Sequence, residues 1–280
     1  MDRKAIAKET LDILDRGWYD GPAGRVEIGE AHRASVAGSR FFPAEETPDL
    51  PPSPGERTRF DLWDSSTVRA VLDLAAQGAE KVGVLNFASA KNPGGGFLNG
   101  AMAQEESLAA SGGLYRTLTP HQEYYRRNRA CGTMVYTGCA IYSPEVVFFR
   151  DEGFRLLERP VTASVLTLPA VNLGQVMQKG EDLPAARAAM EERMARALRL
   201  FGAMGDRTLV LGAYGCGVFR NDPRQVARWW RQLLAEPAFA GRFSRVVFAV
   251  LDSSRSQSCH NAFWEELGPL VTADPIPARI

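Results

Sequence analysis

The chain has 280 residues, 45% of them hydrophobic, enough to build a buried core in one large domain or two small ones. Lysine plus arginine and aspartate plus glutamate both number 33, and a net charge of zero argues against non-specific attraction to nucleic acid or an anionic membrane as the main activity. The four cysteines (Cys131, Cys139, Cys216, Cys259) lack CxxC spacing, which sets aside a zinc ribbon and a thioredoxin-like motif. With an amphipathic start and no apolar run of spanning length, the sequence predicts a soluble cytoplasmic protein.

Residues 3–17 place Ile6, Thr10, Ile13 and Leu14 on one face and stop at Gly17, which predicts a helix. Residues 18–62 hold several glycines and a proline cluster, so short strands are expected only near 25–28 and 57–62. Ser65 or Ser66 caps a helix reaching about 77, closed by Gly78. The apolar run 82–88 reads as a buried strand. Beyond it, 108–129 reads as helix broken near Pro120, and strands are expected near 133–137, 145–150 and 161–168. Residues 184–204 form the clearest helix, with Pro184 at its start. Buried strands at 208–213 and 245–251 alternate with helices at 223–236 and 256–267, the first capped by Asp222. That alternation implies parallel strands covered by helices.

Two glycine-rich loops follow buried strands: Asn92-Pro93-Gly94-Gly95-Gly96 after 82–88, and the segment 212–217 before the helix at 223. In open α/β sheets ligands bind beyond the carboxyl ends of strands, where backbone N–H groups cradle anions. The second loop is neither a Walker A motif nor a GxGxxG fingerprint. Two such loops facing one cleft point to a diphosphate ligand. Seven residues after Gly96 come Gln104, Glu105 and Glu106. Acids at a helix start suit the macrodipole, but a diphosphate site should otherwise avoid them. Glycosidic cleavage needs a carboxylic acid to protonate the leaving oxygen, and mutual repulsion with partial burial would raise one of the two pKa values.

Gly94–Gly96, seven intervening residues and Gln104-Glu105-Glu106 match the signature of poly(ADP-ribose) glycohydrolases, three glycines followed by six to eight residues and Gln-Glu-Glu. With the helical lead-in at 3–17 and the loop Gly215-Cys216-Gly217-Val218-Phe219, the chain resembles the compact bacterial type. The resemblance implies an α/β, macrodomain-like three-layer α/β/α fold with a mixed central sheet. Residues 1–64 would be an N-terminal extension packed on a catalytic domain at 65–280, the two forming one compact unit. It also implies a hydrolase that needs no cofactor or metal and cleaves the ribose–ribose bond of poly(ADP-ribose), mainly from chain ends. Its partners would be the polymer, ADP-ribose and poly-ADP-ribosylated proteins, with no membrane and no direct nucleic-acid binding.

Carried onto this sequence, the resemblance makes Glu106 the general acid and Glu105 the residue that orients the cleaved ribose. Asn92 would touch that ribose and Gln104 would hold the catalytic loop. Gly94, Gly95, Gly96 and the loop Gly215, Cys216, Gly217, Val218 would surround the diphosphate, the N–H groups of Gly95 and Gly96 among its donors. Phe219 would pack on the distal ribose, Asn86 is a weaker candidate at the strand end, and Glu27 and Ile28 are candidate adenine contacts. A non-catalytic ADP-ribose reader is the alternative from another class, but such binders normally lack the paired glutamates. A hydrolase of mono-ADP-ribosyl adducts is a third reading. His32, His121 and His260 show no metal spacing, Cys216 reads as a packing residue, and Arg126, Arg127 and Arg129 read as a solvated helix face.

Overall fold

The computed structural model describes residues 2–271. Asp2 caps α1 (Arg3–Arg16), accepting from the N–H groups of Lys4 and Ala5. The hairpin β1 (Trp18–Gly21) and β2 (Gly24–Glu27), α2 (Gly29–Gly38) and β3 (Arg40–Phe42) follow. After the prolines come β4 (Arg59–Trp63), α3 (Thr67–Ala76), capped by Ser66, and β5 (Val82–Phe87). Three short helices, α4 (Gln104–Ser111), α5 (Leu114–Leu118) and α6 (Gln122–Ala130), lead to the long strands β6 (Ala140–Arg150) and β7 (Leu156–Leu168). The last part runs α7 (Leu173–Lys179), α8 (Leu183–Met204), β8 (Thr208–Leu211), α9 (Pro223–Ala235), β9 (Arg245–Ala249) and α10 (Ser258–Leu267).

The central seven-stranded sheet has the order β3-β6-β7-β5-β8-β9-β4. The five strands from β7 to β4 are parallel, while β6 is antiparallel to both neighbours. Successive residues point to opposite faces, and the core divides accordingly. Leu85, Leu166, Leu209, Leu211, Val246 and Phe248 pack with α8, α9 and α10. Their sequence neighbours Val84, Val165, Val210 and Val247 pack with Leu74 of α3, Leu114 and Leu118 of α5, and Tyr124 and Tyr125 of α6. This is the expected three-layer α/β/α arrangement with a mixed sheet. Each such side chain contributes roughly 1.5–3 kcal/mol by burial, and the parallel centre has both faces dry.

Residues before 64 supply more than a covering: β3 and β4 are the two edge strands of this sheet. Four sequence expectations also change. The segment 18–62 holds the hairpin, α2 and β3; α2 lacks an apolar stripe because its buried residues are His32 and Ser35. The helix expected at 108–129 already breaks at Gly112-Gly113, where a side chain at Gly112 would overlap Val147 O. No strand forms at 133–137, and α7 was not foreseen. Among the described residues no helix is long and apolar enough to cross a membrane.

Candidate active site

Strand β5 pairs with β8 only over Val82–Val84, but with β7 as far as Phe87. Beyond Val84, the side chain of Gln104 takes over on the open side. Its Oε1 accepts from the Phe87 N–H at 2.8 Å, and its Nε2 donates to Leu85 O at 2.8 Å and Thr67 Oγ1 at 3.2 Å. The first residue of α4 is thereby stitched to the tip of β5, which fixes where the next two residues point.

Glu105 points inward and is 3% exposed. Its Oε1 accepts from Asn86 Nδ2 at 3.2 Å and its Oε2 from the Ser89 N–H at 2.7 Å. Burial pushes its carboxyl up to about 8; the bonds from Ser89 and Asn86 pull the other way, and the charge of Glu106 raises it further. Mutual repulsion with partial burial was expected to raise one pKa of the pair; both act, burial is the larger cause, and the residue is Glu105. Asn86 is fully buried and also donates to Thr167 Oγ1. It therefore holds Glu105 in place from the end of β5.

Glu106 is half-buried, one oxygen on each of two backbone donors: Oε1 on Gly96 N–H at 2.8 Å and Oε2 on Ala103 N–H at 3.0 Å. The second bond is half of a capping box; Ala103 has no side-chain acceptor to complete it. Gly95, with φ of +59°, lies so close that a methyl group there would overlap Glu106 Oε1 and sit 3.1 Å from Glu105 Oε2. Only glycine combines that backbone with that proximity. The same geometry corrects another expectation. The Gly95 N–H bonds Asn92 O at 3.0 Å and the Gly96 N–H bonds Glu106, so neither is available to a phosphate. Gly94 is buried, whereas Asn92 is exposed at the lip of the loop.

The second loop supplies the free donors. The Cys216 N–H bonds Ala213 O, but those of Gly217, Val218 and Phe219 carry no hydrogen bond among the described residues. Three such groups in succession are left for an acceptor from outside the chain. Gly215, at φ +74°, lets the loop close on Asn221, whose Nδ2 donates to Val171 O at 2.9 Å and Gly215 O at 3.0 Å. Val218 is 87% exposed and Gly217 faces open space. The Cys216 thiol shares a hydrogen bond with Cys259 that, with burial, holds it well above the usual thiol range, as suits a packing residue.

Glu27 and Ile28 are not brought to this cleft. Ile28 is 2% exposed among Ile13, Leu14, Tyr19, Val147 and Phe149, and a side chain filled on all sides by core cannot also touch adenine. Glu27 sits at the base of the hairpin, paired with Arg25 at 2.6 Å. Conversely, Ser89, Thr167, Asn221, Tyr136 and Arg193 matter here and were not singled out in the sequence. Arg193 left a readable trace, as the lone cation on the face of α8 that carries Met190, Met194 and Ala197. In the basic cluster, Arg126 and Arg127 pair with Glu123, and Arg127 also with Glu45.

A family model described as "Microbial-type PARG, catalytic domain" matches residues 7–151. The crystal structure of poly(ADP-ribose) glycohydrolase (PARG) from Thermomonospora curvata is 40% identical and covers 94% of this chain and 98% of its own, with a TM-score of 0.89. The structure from that organism bound to the inhibitor ADP-HPD is 41% identical over the same shares, with a TM-score of 0.87. The enzyme of Deinococcus radiodurans in complex with ADP-ribose is 42% identical, covering 85% of this chain and 98% of its own at a TM-score of 0.81. No curated protein matches the chain.

Proposed function

Since the chain belongs to the microbial-type poly(ADP-ribose) glycohydrolase family, we propose that it hydrolyses the ribose–ribose O-glycosidic bond of poly(ADP-ribose). It acts mainly at chain ends, on poly-ADP-ribosylated proteins in the cytoplasm, and releases ADP-ribose. The observation that carries this reading is the pair of glutamates stitched to the tip of β5 with different surroundings, one buried and one facing the glycine turn. A general acid, a residue that orients the sugar and a diphosphate cradle are what cleavage of this bond requires.

Glu106 protonates the leaving ribose oxygen and then activates water. Its hold on the Gly96 and Ala103 N–H groups supports this role by fixing the carboxyl at the mouth of the turn. Glu105 hydrogen-bonds the hydroxyls of the ribose being cleaved. Its oxygens are fixed from behind by Asn86 and Ser89, so these two act through Glu105. Asn92, on the exposed lip, contacts the same ribose. The diphosphate lies on the N–H groups of Gly217, Val218 and Phe219, and the Phe219 ring packs on the distal ribose.

Glu106→Gln keeps one of the two backbone hydrogen bonds, since its amide nitrogen cannot accept the other, and removes the transferable proton. Its turnover of labelled polymer should fall by roughly 10²–10⁴-fold, while ADP-ribose binding measured by calorimetry stays near wild type. Undiminished release of ADP-ribose by this variant would remove Glu106 from the chemistry. Running labelled polymer against mono-ADP-ribosylated protein distinguishes chain cleavage from removal of single adducts.

A further inference from the structure

Two thiols from distant parts of the chain meet at the second glycine loop. Cys216 follows Gly215 in that loop, and Cys259 lies in the first turn of α10. Both are half-buried, and both pack on the same core cluster. Their sulfurs are in hydrogen-bonding contact, the Cys216 S–H donating and Cys259 accepting. By contrast, Cys139 is fully buried, and Cys131 meets a hydroxyl, Thr133 Oγ1, at 3.6 Å.

The two sulfurs are mounted differently. Asp252 Oδ2 accepts from the N–H groups of Cys259 at 2.8 Å and His260 at 3.4 Å, which fixes the start of α10. Phe263 and Leu267 anchor the helix in the core, the Phe263 ring 6.3 Å from that of Phe248. Cys259 therefore stands on a fixed element. The hydrogen bond from Cys216 holds its thiol below the usual range, against burial and the charge of Asp252. Cys216 stands on the yielding side. A side chain at Gly217 would meet nothing, Val218 is exposed, and the N–H groups of Gly217, Val218 and Phe219 carry no hydrogen bond among the described residues. A covalent bond is shorter than any hydrogen-bond contact. Joining the sulfurs would draw the loop at 216–219 toward α10 and turn those three N–H groups with it.

We propose that Cys216 and Cys259 form a reversible oxidation site for hydroperoxides, and that the disulfide between them takes the loop at 216–219 out of its ligand-binding shape. The effect on binding rests on reading this loop as the diphosphate side of an ADP-ribose cleft. The Cys259 thiolate attacks one peroxide oxygen and the O–O bond breaks. The departing hydroxide takes up the proton that Cys259 has lost, which leaves a sulfenic acid and one water. The Cys216 sulfur then attacks the sulfenic sulfur, the S–O bond breaks, and hydroxide leaves with the Cys216 proton as a second water. Two thiols are oxidised to one disulfide, and one peroxide is reduced to two waters. Where thiols are kept reduced such a bond is transient, and a dithiol reverses it by exchange.

The test uses the full chain in three states: reduced, treated with hydrogen peroxide, and re-reduced with dithiothreitol. Peptide mapping of the treated protein should recover a Cys216–Cys259 link, and its intact mass should fall by two hydrogens. Calorimetry should show ADP-ribose binding weakened by roughly tenfold in that state, and dithiothreitol should restore it. Cys259→Ser and Cys259→Ala should bind ADP-ribose and turn over polymer like the reduced wild type but lose the peroxide response, whereas Cys131→Ser should keep it. In a glutathione buffer, saturating ADP-ribose should shift the equilibrium toward the thiols by the same factor, because the coupling is reciprocal. A disulfide that forms elsewhere, or unchanged affinity once the Cys216–Cys259 link is complete, overturns the proposal. So does an undiminished peroxide response in both Cys259 variants. If the reduced wild type neither binds ADP-ribose nor cleaves polymer, the cleft reading fails and takes the binding effect with it; the mapped link alone then decides the oxidation site.

Discussion

At the scale of single residues, two glutamates one bond apart in sequence are given opposite settings by the fold. Glu106 meets two backbone donors at the cleft mouth, whereas Glu105 is enclosed and stays protonated up to about pH 8 in the free protein. A folded-state pKa raised above the ordinary carboxylate value means that stability is lost as pH climbs from about 4.5 through 8. It also links ligand to proton. A diphosphate brings negative charge that favours the neutral carboxyl, so above pH 8 binding must take up a proton. ADP-ribose affinity should be flat between pH 6 and 7.5 and then fall, by at most about tenfold per pH unit, while Glu105→Gln should stay flat to pH 9. A calorimetric titration series decides this, and a slope that survives in Glu105→Gln would put the titrating group elsewhere.

At the scale of elements, a second buried carboxyl sits at the opposite end of the strands. Asp206, just before β8, accepts from Tyr142 Oη of β6 at 3.0 Å and packs beneath Gly83 of β5. Burial raises it to about 7, a difference on the order of 4 kcal/mol between its protonated and ionised forms. The folded state therefore loses stability as pH rises from about 4 to 7. Asp206→Asn keeps the partner and cannot ionise, so its Tm advantage over wild type should be larger at pH 8 than at pH 5; equal differences at both would reject this account. Elements of this part of the chain were legible where local chemistry agreed with the global fold. The strands β5, β8 and β9 are short apolar runs, and α3 and α9 begin at the capping residues Ser66 and Asp222. The glycine and Gln-Glu-Glu spacing likewise exposed the loop that the structure ties to the tip of β5. What sequence could not supply was long-range. The Val135 and Tyr136 carbonyls bond a side chain nearly sixty positions away instead of a neighbouring strand, and α2 buries His32 and Ser35 against residues it cannot see locally. Which N–H groups of the glycine loops are free is equally a tertiary property, invisible until Glu106 folds back onto Gly96.

At the scale of the whole molecule, the first and last parts of the chain close the structure. Helix α1 lies over the glycine turn and α4, Ala7 packing with Phe97, Ala109 and Ala110, while Thr10 Oγ1 donates to Ala110 O at 2.9 Å. Arg150 of β6, almost fully buried, reaches Thr10 and Glu9. Thr10→Val leaves Ala110 O and one Arg150 donor unsatisfied, so urea unfolding should show a loss of about 1–3 kcal/mol; no loss would mean that α1 is held by its apolar face alone. The far edge closes in the same way: β4 pairs with β9, Asp61 beside Val247, and Arg245 Nε donates to Asp61 Oδ2 at 2.7 Å. This topology has a consequence for the order in which a ribosome delivers the protein. Glu105 and Glu106 emerge early, yet Thr167 behind Asn86, the second glycine loop at 215–219 and β9, the partner of β4, are all made later. A nascent chain that already carries the paired glutamates has no finished sheet behind them until the last strand arrives beside one of the first.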